Sequence, residues 1–353
     1  MRDHPAWNIR RETLDPIVRE HAAATDGVTL MLGHTATAIS RAEGAGAGRV
    51  SGVTVRERDG SERELRGKLV IAADGRDSEI GKLAGIPAKQ KPNNRFGYFA
   101  HYRETPLVTG DSAQMWLLDP DVAYAFPTDG ALTLLTCMPH KDRLAEFKAD
   151  PEQAMVKLFE GLPDGPRLDP AKRESKMMGK LDMPNSTRAV SSPGLAFVGD
   201  AALAADPLWG VGCGWALQSA EWLADAVAPA LAGGEAGIDS ALETYASRHR
   251  KGLALHEKLC SDYSRGRKFN PLEKLLYRAA ARDRPIAERM AQMGGRWIDP
   301  KETLTPATLA RIVRVNLTPG RRQNGLRTQP PASQPPASGP PAAGSPVSAG
   351  AIG

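Results

Sequence analysis

Leu195-Ala196-Phe197-Val198-Gly199-Asp200-Ala201-Ala202 runs four apolar residues into a glycine and a carboxylate, and the chain soon continues Asp206-Pro207-Leu208-Trp209-Gly210-Val211-Gly212-Cys213-Gly214. A short apolar run closed by glycine reads as a buried strand. The glycine string after Pro207 reads as a tight turn that opens a helix, because Ala216, Ala220, Leu223, Val227 and Leu231 then recur at helical spacing. A carboxylate at a strand end can accept from a ligand hydroxyl, and a helix amino end offers free N–H groups and positive potential. The segment therefore suits a ligand that carries hydroxyls and an electron-rich ring.

A second strand end of the same kind lies upstream, where Leu69-Val70-Ile71-Ala72-Ala73 runs into Asp74-Gly75. Two buried parallel strands with ligand-facing ends, far apart in sequence, predict an α/β fold with one composite site. Around them, Arg11 to Glu20 reads as helix, Val28 to Ile39 as extended chain, and Val50 to Arg58 with Glu64 to Arg66 as a hairpin turning at Asp59-Gly60. Met115-Trp116-Leu117, Tyr124-Ala125-Phe126-Pro127 and Leu132 to Cys137 predict an antiparallel sheet inserted between the two strand ends. Leu144 to Leu162 reads as a helix. Leu242, Tyr245, His249, Leu253, His256 and Leu259 form a further helical stripe. Its two histidines lack a third ligand nearby, so the stripe predicts packing and no metal.

Composition excludes several classes. The 353 residues are 41% hydrophobic, but no apolar run approaches the roughly 20 residues that a spanning helix needs. The first fifteen residues carry no secretory apolar region. Three cysteines, Cys137, Cys213 and Cys260, show no ligand or disulfide spacing. A soluble protein of the cytoplasm, with no membrane partner, is expected. The 46 basic residues are interleaved with 41 acidic ones for a net +5, which gives no reason to expect nucleic acid. The one locally basic stretch, Arg265 to Arg296, reads as a solvated helical face. Residues 328–353 hold seven prolines and no charge, and so predict a disordered tail. No G-x-S-x-G, Walker A or H-E-x-x-H motif is present.

Three motifs in order, Arg11-x-x-Leu14, Asp74-Gly75 after its strand, and Gly199-Asp200-Ala-Ala with Pro207 and Gly210 to Gly212, resemble the FAD-dependent monooxygenases of the aromatic (p-hydroxybenzoate) hydroxylase-like family. The resemblance implies FAD as cofactor and NAD(P)H as electron donor, with O2 used to hydroxylate or epoxidise a small organic substrate. It implies cofactor contacts from Arg11, Asp74, Gly75, Gly199, Asp200, Pro207, Gly210, Val211 and Gly212. Substrate would lie against the inserted sheet, where Met115, Trp116, Tyr124 and Phe126 offer apolar area. No catalytic acid or base is assigned, since the cofactor carries the chemistry.

The family opens with a G-x-G-x-x-G strand-turn-helix unit, and neither Gly44-Ala-Gly46-Ala-Gly48 nor Gly210-Val-Gly212-Cys-Gly214 meets that pattern. The expected architecture is thus an incomplete FAD-binding Rossmann-like domain with an inserted antiparallel-sheet substrate domain and carboxyl-terminal helices. Its parts would be residues 1–90 and 181–235 for FAD, 91–180 for substrate, 236–325 for the helices and 326–353 for the tail. Two other readings remain. One is a truncated, non-catalytic fragment or interaction module. The other is a relative of flavin-dependent reductases or halogenases, although the halogenase W-x-W-x-I-P sequence is absent because no two of the six tryptophans are two apart.

Overall fold

Strands β4 (Val70–Ala72) and β14 (Leu195–Phe197) lie side by side in parallel, with Val70 opposite Leu195 and Ala72 opposite Phe197. In the computed structural model, which describes residues 7–318, this pair is the spine of one of four separate sheets. The proline-rich segment expected to form a tail lies outside the described residues. β13 (Ser191–Ser192) adds to β14 in antiparallel sense. Leu195 and Phe197 are fully buried, whereas Ile71 of β4 is 53% exposed, so only one of the two strands is enclosed on both faces.

The hairpin reading holds. β1 (Thr35–Arg41), β2 (Val50–Arg56) and β3 (Glu62–Arg66) form an antiparallel sheet, and Gly60 takes the left-handed conformation that the turn needs. The extended stretch expected from Val28 begins only at Thr35, because Gly33, also at positive φ, turns the chain first. Helix α1 (Arg11–Ala23) matches its reading. Helix α2 (Glu79–Leu83) follows β4, and β5 (Lys89–Lys91) pairs with β12 (Asn185–Thr187), which pairs in turn with β15 (Leu203–Ala204).

The inserted sheet is present and antiparallel. β6 (Gly97–Arg103), β9 (Leu132–Met138), β8 (Val122–Thr128) and β7 (Gln114–Leu117) lie in that order, and β10 (Lys172–Arg173) and β11 (Met178–Lys180) close on β6. One face packs on helices α3 (Leu144–Ala149) and α4 (Pro151–Glu160) through Phe96, Tyr98, Trp116, Phe147 and Phe159. These two helices replace the single one expected from Leu144 to Leu162. Asp150 ends the first and caps the second through Gln153 N at 2.9 Å, and Pro151 starts it.

Helices α5 (Gly212–Val227) and α6 (Gly234–Tyr263) cover the spine. The buried face of α5 is Trp215, Ser219, Trp222, Leu223 and Val227, whereas Ala220 faces solvent and Leu231 lies beyond the helix. Leu223 and Val227 of the expected stripe are thus buried, and Trp215 and Trp222 join them on the inner face. At Gly199 (φ +56°) an added Cβ would stand 3.0 Å from the Ala216 Cβ, so glycine is what admits α5 to the strand end. Helices α7 (Pro271–Ala280), α8 (Arg284–Gly294), α9 (Pro300–Thr303) and α10 (Pro306–Leu317) complete the described chain. No helix among the described residues is long and apolar enough to cross a membrane.

The stripe of α6 is buried as read, with Leu242, Tyr245, His249, Leu253 and His256 inside. Burial and the neighbouring Arg296 push both histidines down to about 4. The unfolded chain then binds protons between about pH 6.5 and 4 that the native chain does not. Stability is therefore fully present above pH 6.5 and falls as the pH drops toward 4. Urea denaturation across this range is expected to show a slope approaching two protons, at most ~2.7 kcal/mol per pH unit. His249→Gln with His256→Gln removes that slope.

Candidate functional site

The parallel spine delivers its two strand ends to one place. β14 continues as Val198 N–H donates to the Ala72 carbonyl at 3.0 Å, and Tyr245 Oη donates to the Phe197 carbonyl at 2.6 Å. Gly199 N–H then donates to Ser219 Oγ at 2.8 Å, which fixes the strand end against α5. Asp200 emerges from this anchored turn half-buried. Burial raises its carboxyl above the ordinary value, and Arg76 and then Arg11 oppose that shift. Arg11, Arg76 and Asp200 are thus neighbours, although the sequence separates them widely. Arg11 also reaches Cys213 at the start of α5, while its guanidinium is shared with Asp15 at 2.5 and 2.8 Å.

The turn before α5 is held from below. Asp206 is fully buried and paired with Arg95, which is 1% exposed, at 3.1 Å. Asn93 Nδ2 donates to the same carboxylate at 2.8 Å, and Leu208 N–H does so at 2.9 Å. Asp206 N–H donates to Asn185 Oδ1, and Asn185 Nδ2 donates to Ser264 Oγ, both at 2.7 Å. From this base Gly210 N–H closes a turn onto the Pro207 carbonyl at 2.9 Å, with Gly210 at φ +65°. Helix α5 then begins at Gly212 with no side chain capping its amino end.

Several glycines line open space. A Cβ added at Gly75, Gly210, Gly212 or Gly214 would meet no atom within 4 Å. Bare backbone at an uncapped helix start, beside a half-buried carboxylate and two guanidiniums, fits a ligand with a pyrophosphate, hydroxyls and a flat ring. The residues present therefore fit FAD.

Asp74 has a local task. Ser78 Oγ and Ile80 N–H donate to its two oxygens at 2.7 and 2.9 Å, so its carboxylate shapes the turn that presents Gly75 at φ +82°. The substrate candidates divide between two faces. Met115 lies opposite Tyr124 in the β7–β8 register, and the Tyr124 and Phe126 rings stack at 5.3 Å. Tyr124 Oη donates to the Leu208 carbonyl, which joins this face to the glycine turn. Trp116 points to the opposite face, where its indole donates to the Pro163 carbonyl at 2.9 Å and its ring meets Phe159 edge-on. Strand alternation explains the split, and the structure leaves Trp116 in the helix-facing core.

Sequence reasoning missed Arg76, whose Nη1 and Nη2 donate to the Pro184 and Ala205 carbonyls at 2.6 and 3.1 Å. Its position directly after Asp74-Gly75 was the available signal. Arg95 and Asn93 carried none. Asp200→Asn removes a charge that burial disfavours and keeps the side chain's shape. The apo chain is expected to melt at the same or a higher temperature while FAD affinity falls about tenfold; a lower melting temperature makes Asp200 part of the scaffold.

Comparison with known proteins gives the family and the fold. Residues 4–256 match the family described as FAD binding domain. The digeranylgeranylglycerophospholipid reductase of Methanosarcina acetivorans is 26% identical over 197 residues, 54% of this chain and 47% of the relative. A second such reductase, from Methanococcoides burtonii, is 27% identical over 52% of this chain and 45% of its own length. The chain thus spans about half the length of these curated relatives. Among solved structures, the flavin-dependent brominase Bmp2 superposes with a TM-score of 0.67 at 17% identity, covering 88% of this chain and 76% of the brominase. p-Nitrophenol 4-monooxygenase PnpA from Pseudomonas putida DLL-E4 does so at 0.61 and 18% identity, covering 89% and 73%. These superpositions show the shared flavoprotein fold, a mixed α/β architecture with antiparallel sheets and carboxyl-terminal helices. The chain belongs to the FAD-binding domain family.

Proposed function

We propose that the chain carries the flavin-binding and substrate-facing parts of an FAD-dependent monooxygenase acting on a small, largely apolar organic molecule. The observation that carries this reading is the half-buried Asp200, with Arg76 and Arg11 acting on it, at the strand end packed against α5, whose glycine start is bare, with the Tyr124 face joined to the same turn. FAD, when bound, supplies the redox chemistry, with NAD(P)H as electron donor and O2 as oxidant. Asp200 accepts from a cofactor hydroxyl, and Arg11 and Arg76 offset its charge. Gly75, Gly199, Pro207, Gly210, Val211 and Gly212 shape the backbone against the cofactor, and Asp74 keeps the first of these turns in place. The amino end of α5 stabilises negative charge held beside it. Met115, Tyr124 and Phe126 form an apolar wall that excludes water and orients the substrate.

A second reading, a flavin-dependent reductase acting without oxygen, draws on the two reductase relatives. The two are separated by oxygen. Purified chain is first titrated with FAD by flavin fluorescence, and NAD(P)H oxidation is then followed with apolar substrates in air and under argon. A product that carries one atom from labelled O2 supports the monooxygenase, and equal turnover under argon replaces it with the reductase. A folded chain that binds no FAD overturns both and leaves an interaction module.

A further inference from the structure

The basic stretch noted in the sequence is not spread evenly over the molecule. Residues 265–318 hold twelve Lys and Arg against five Asp and Glu, a net +7 that exceeds the +5 of the whole chain. Helices α7, α8 and α10 lie within this segment. α7 and α10 bury a seam of Leu276, Ala279, Ala280, Ile312 and Val315. Beside that seam they expose apolar residues. On α10, Leu309, Val313 and Leu317 recur every fourth residue, and Val313 and Leu317 are 56% and 78% exposed. On α7, Leu272 and Leu275 are exposed in the same way. Asn316 Nδ2 donates to the Leu275 carbonyl at 3.0 Å, so the two exposed stripes adjoin.

Cations border this apolar area. Arg278, Arg282 and Arg314 are exposed, and Arg282 Nη2 donates to the Thr318 carbonyl at the end of α10. On the other flank of α10, a cavity of about 440 Å³ opens against α8, lined by Arg289, Arg311, Arg314, Thr305 and Thr308. Arg311 is neutralised by Asp283 at 2.9 Å, and Arg289 spends one nitrogen on the Glu302 carbonyl at 2.6 Å. The cavity therefore keeps an excess of positive charge next to hydroxyl donors.

Against the expectation of no membrane partner, we propose that the α7–α10 face, with the basic cavity beside it, is a docking surface for an anionic lipid bilayer. An apolar stripe sinks into the boundary between headgroups and acyl chains, and arginines at its rim meet lipid phosphates. A large exposed apolar patch edged with one sign of charge marks an interaction site, and the sign here selects an anionic partner. The surface is built from helices remote in sequence from the flavin turn, so its test does not depend on cofactor.

Flotation of the full chain with vesicles of phosphatidylcholine alone, and of phosphatidylcholine mixed with phosphatidylglycerol, tests the proposal. Binding is expected only to the anionic vesicles and to weaken with salt. Arg278→Glu with Arg314→Glu, and separately Val313→Glu with Leu317→Glu, should each lower it by roughly tenfold or more. These side chains are exposed, and an unchanged circular dichroism melt confirms that each variant folds. Equal binding to both vesicle types, or binding that neither pair alters, overturns the proposal. A concentration-dependent dimer in sedimentation that Val313→Glu with Leu317→Glu dissolves, without vesicle binding, assigns the face to a second copy of the chain instead.

Discussion

Asp206→Ala is expected to cost about 3–5 kcal/mol, a large share of the roughly 5–15 kcal/mol that holds a domain together. The loss comes from what remains. Arg95 is 1% exposed and pairs with Asp206 at 3.1 Å, so the substitution strands a guanidinium without its counter-charge in the interior. Asn93 and the Leu208 N–H lose their acceptor at the same moment. Urea denaturation should show a midpoint well below that of the parent chain. Arg95→Met combined with Asp206→Asn removes both charges, and its loss should be smaller than that of Asp206→Ala alone, as expected when an unpaired charge dominates. A parent-like midpoint for Asp206→Ala would mean that solvent reaches the pair. The lower midpoint would separate Asp206, which supports the turn, from Asp200, which is proposed to face the ligand.

Gly212→Ala should divide stability from binding most sharply. Gly212 opens α5 with helical geometry, and a Cβ there meets nothing within 4 Å. Alanine reduces the freedom of the unfolded chain at a compatible position, so stability should rise by about 0.4–1 kcal/mol. The same methyl enters the space where cofactor backbone contacts are proposed, and FAD affinity should fall by roughly tenfold to a hundredfold, a loss of about 1.4–2.8 kcal/mol. Calorimetry on the apo chain and fluorescence titration with FAD read the two effects separately. Unchanged affinity would remove the α5 turn from the cofactor site.

The spine was legible because its signal is local. Leu69 to Gly75 and Leu195 to Asp200 each carry an apolar run and a carboxylate within a few residues, and the structure sets them in parallel register. The break in the Leu144 to Leu162 helix was equally local, written in Asp150-Pro151. The opposite facings of Met115 and Trp116 follow from strand alternation, but which face meets the glycine turn depends on Tyr124 reaching Leu208, a contact 84 residues long. The Asp206 support was illegible for the same reason. Its partners Asn93 and Arg95 stand more than a hundred residues upstream in a stretch with no periodicity, and only the folded chain brings them together.

The hydrogen bond from Tyr124 to the Leu208 carbonyl has a thermodynamic consequence. Leu208 is two residues from the buried Asp206 base and two from Gly210, so strand β8 and the glycine turn share a mechanical joint. A molecule that shifted the Tyr124 ring would strain this bond to the turn, and one seated on the turn would restrain the ring. Reciprocity then requires that each alter the other's affinity by the same factor. Occupancy on one side of the joint is thereby reported to the other.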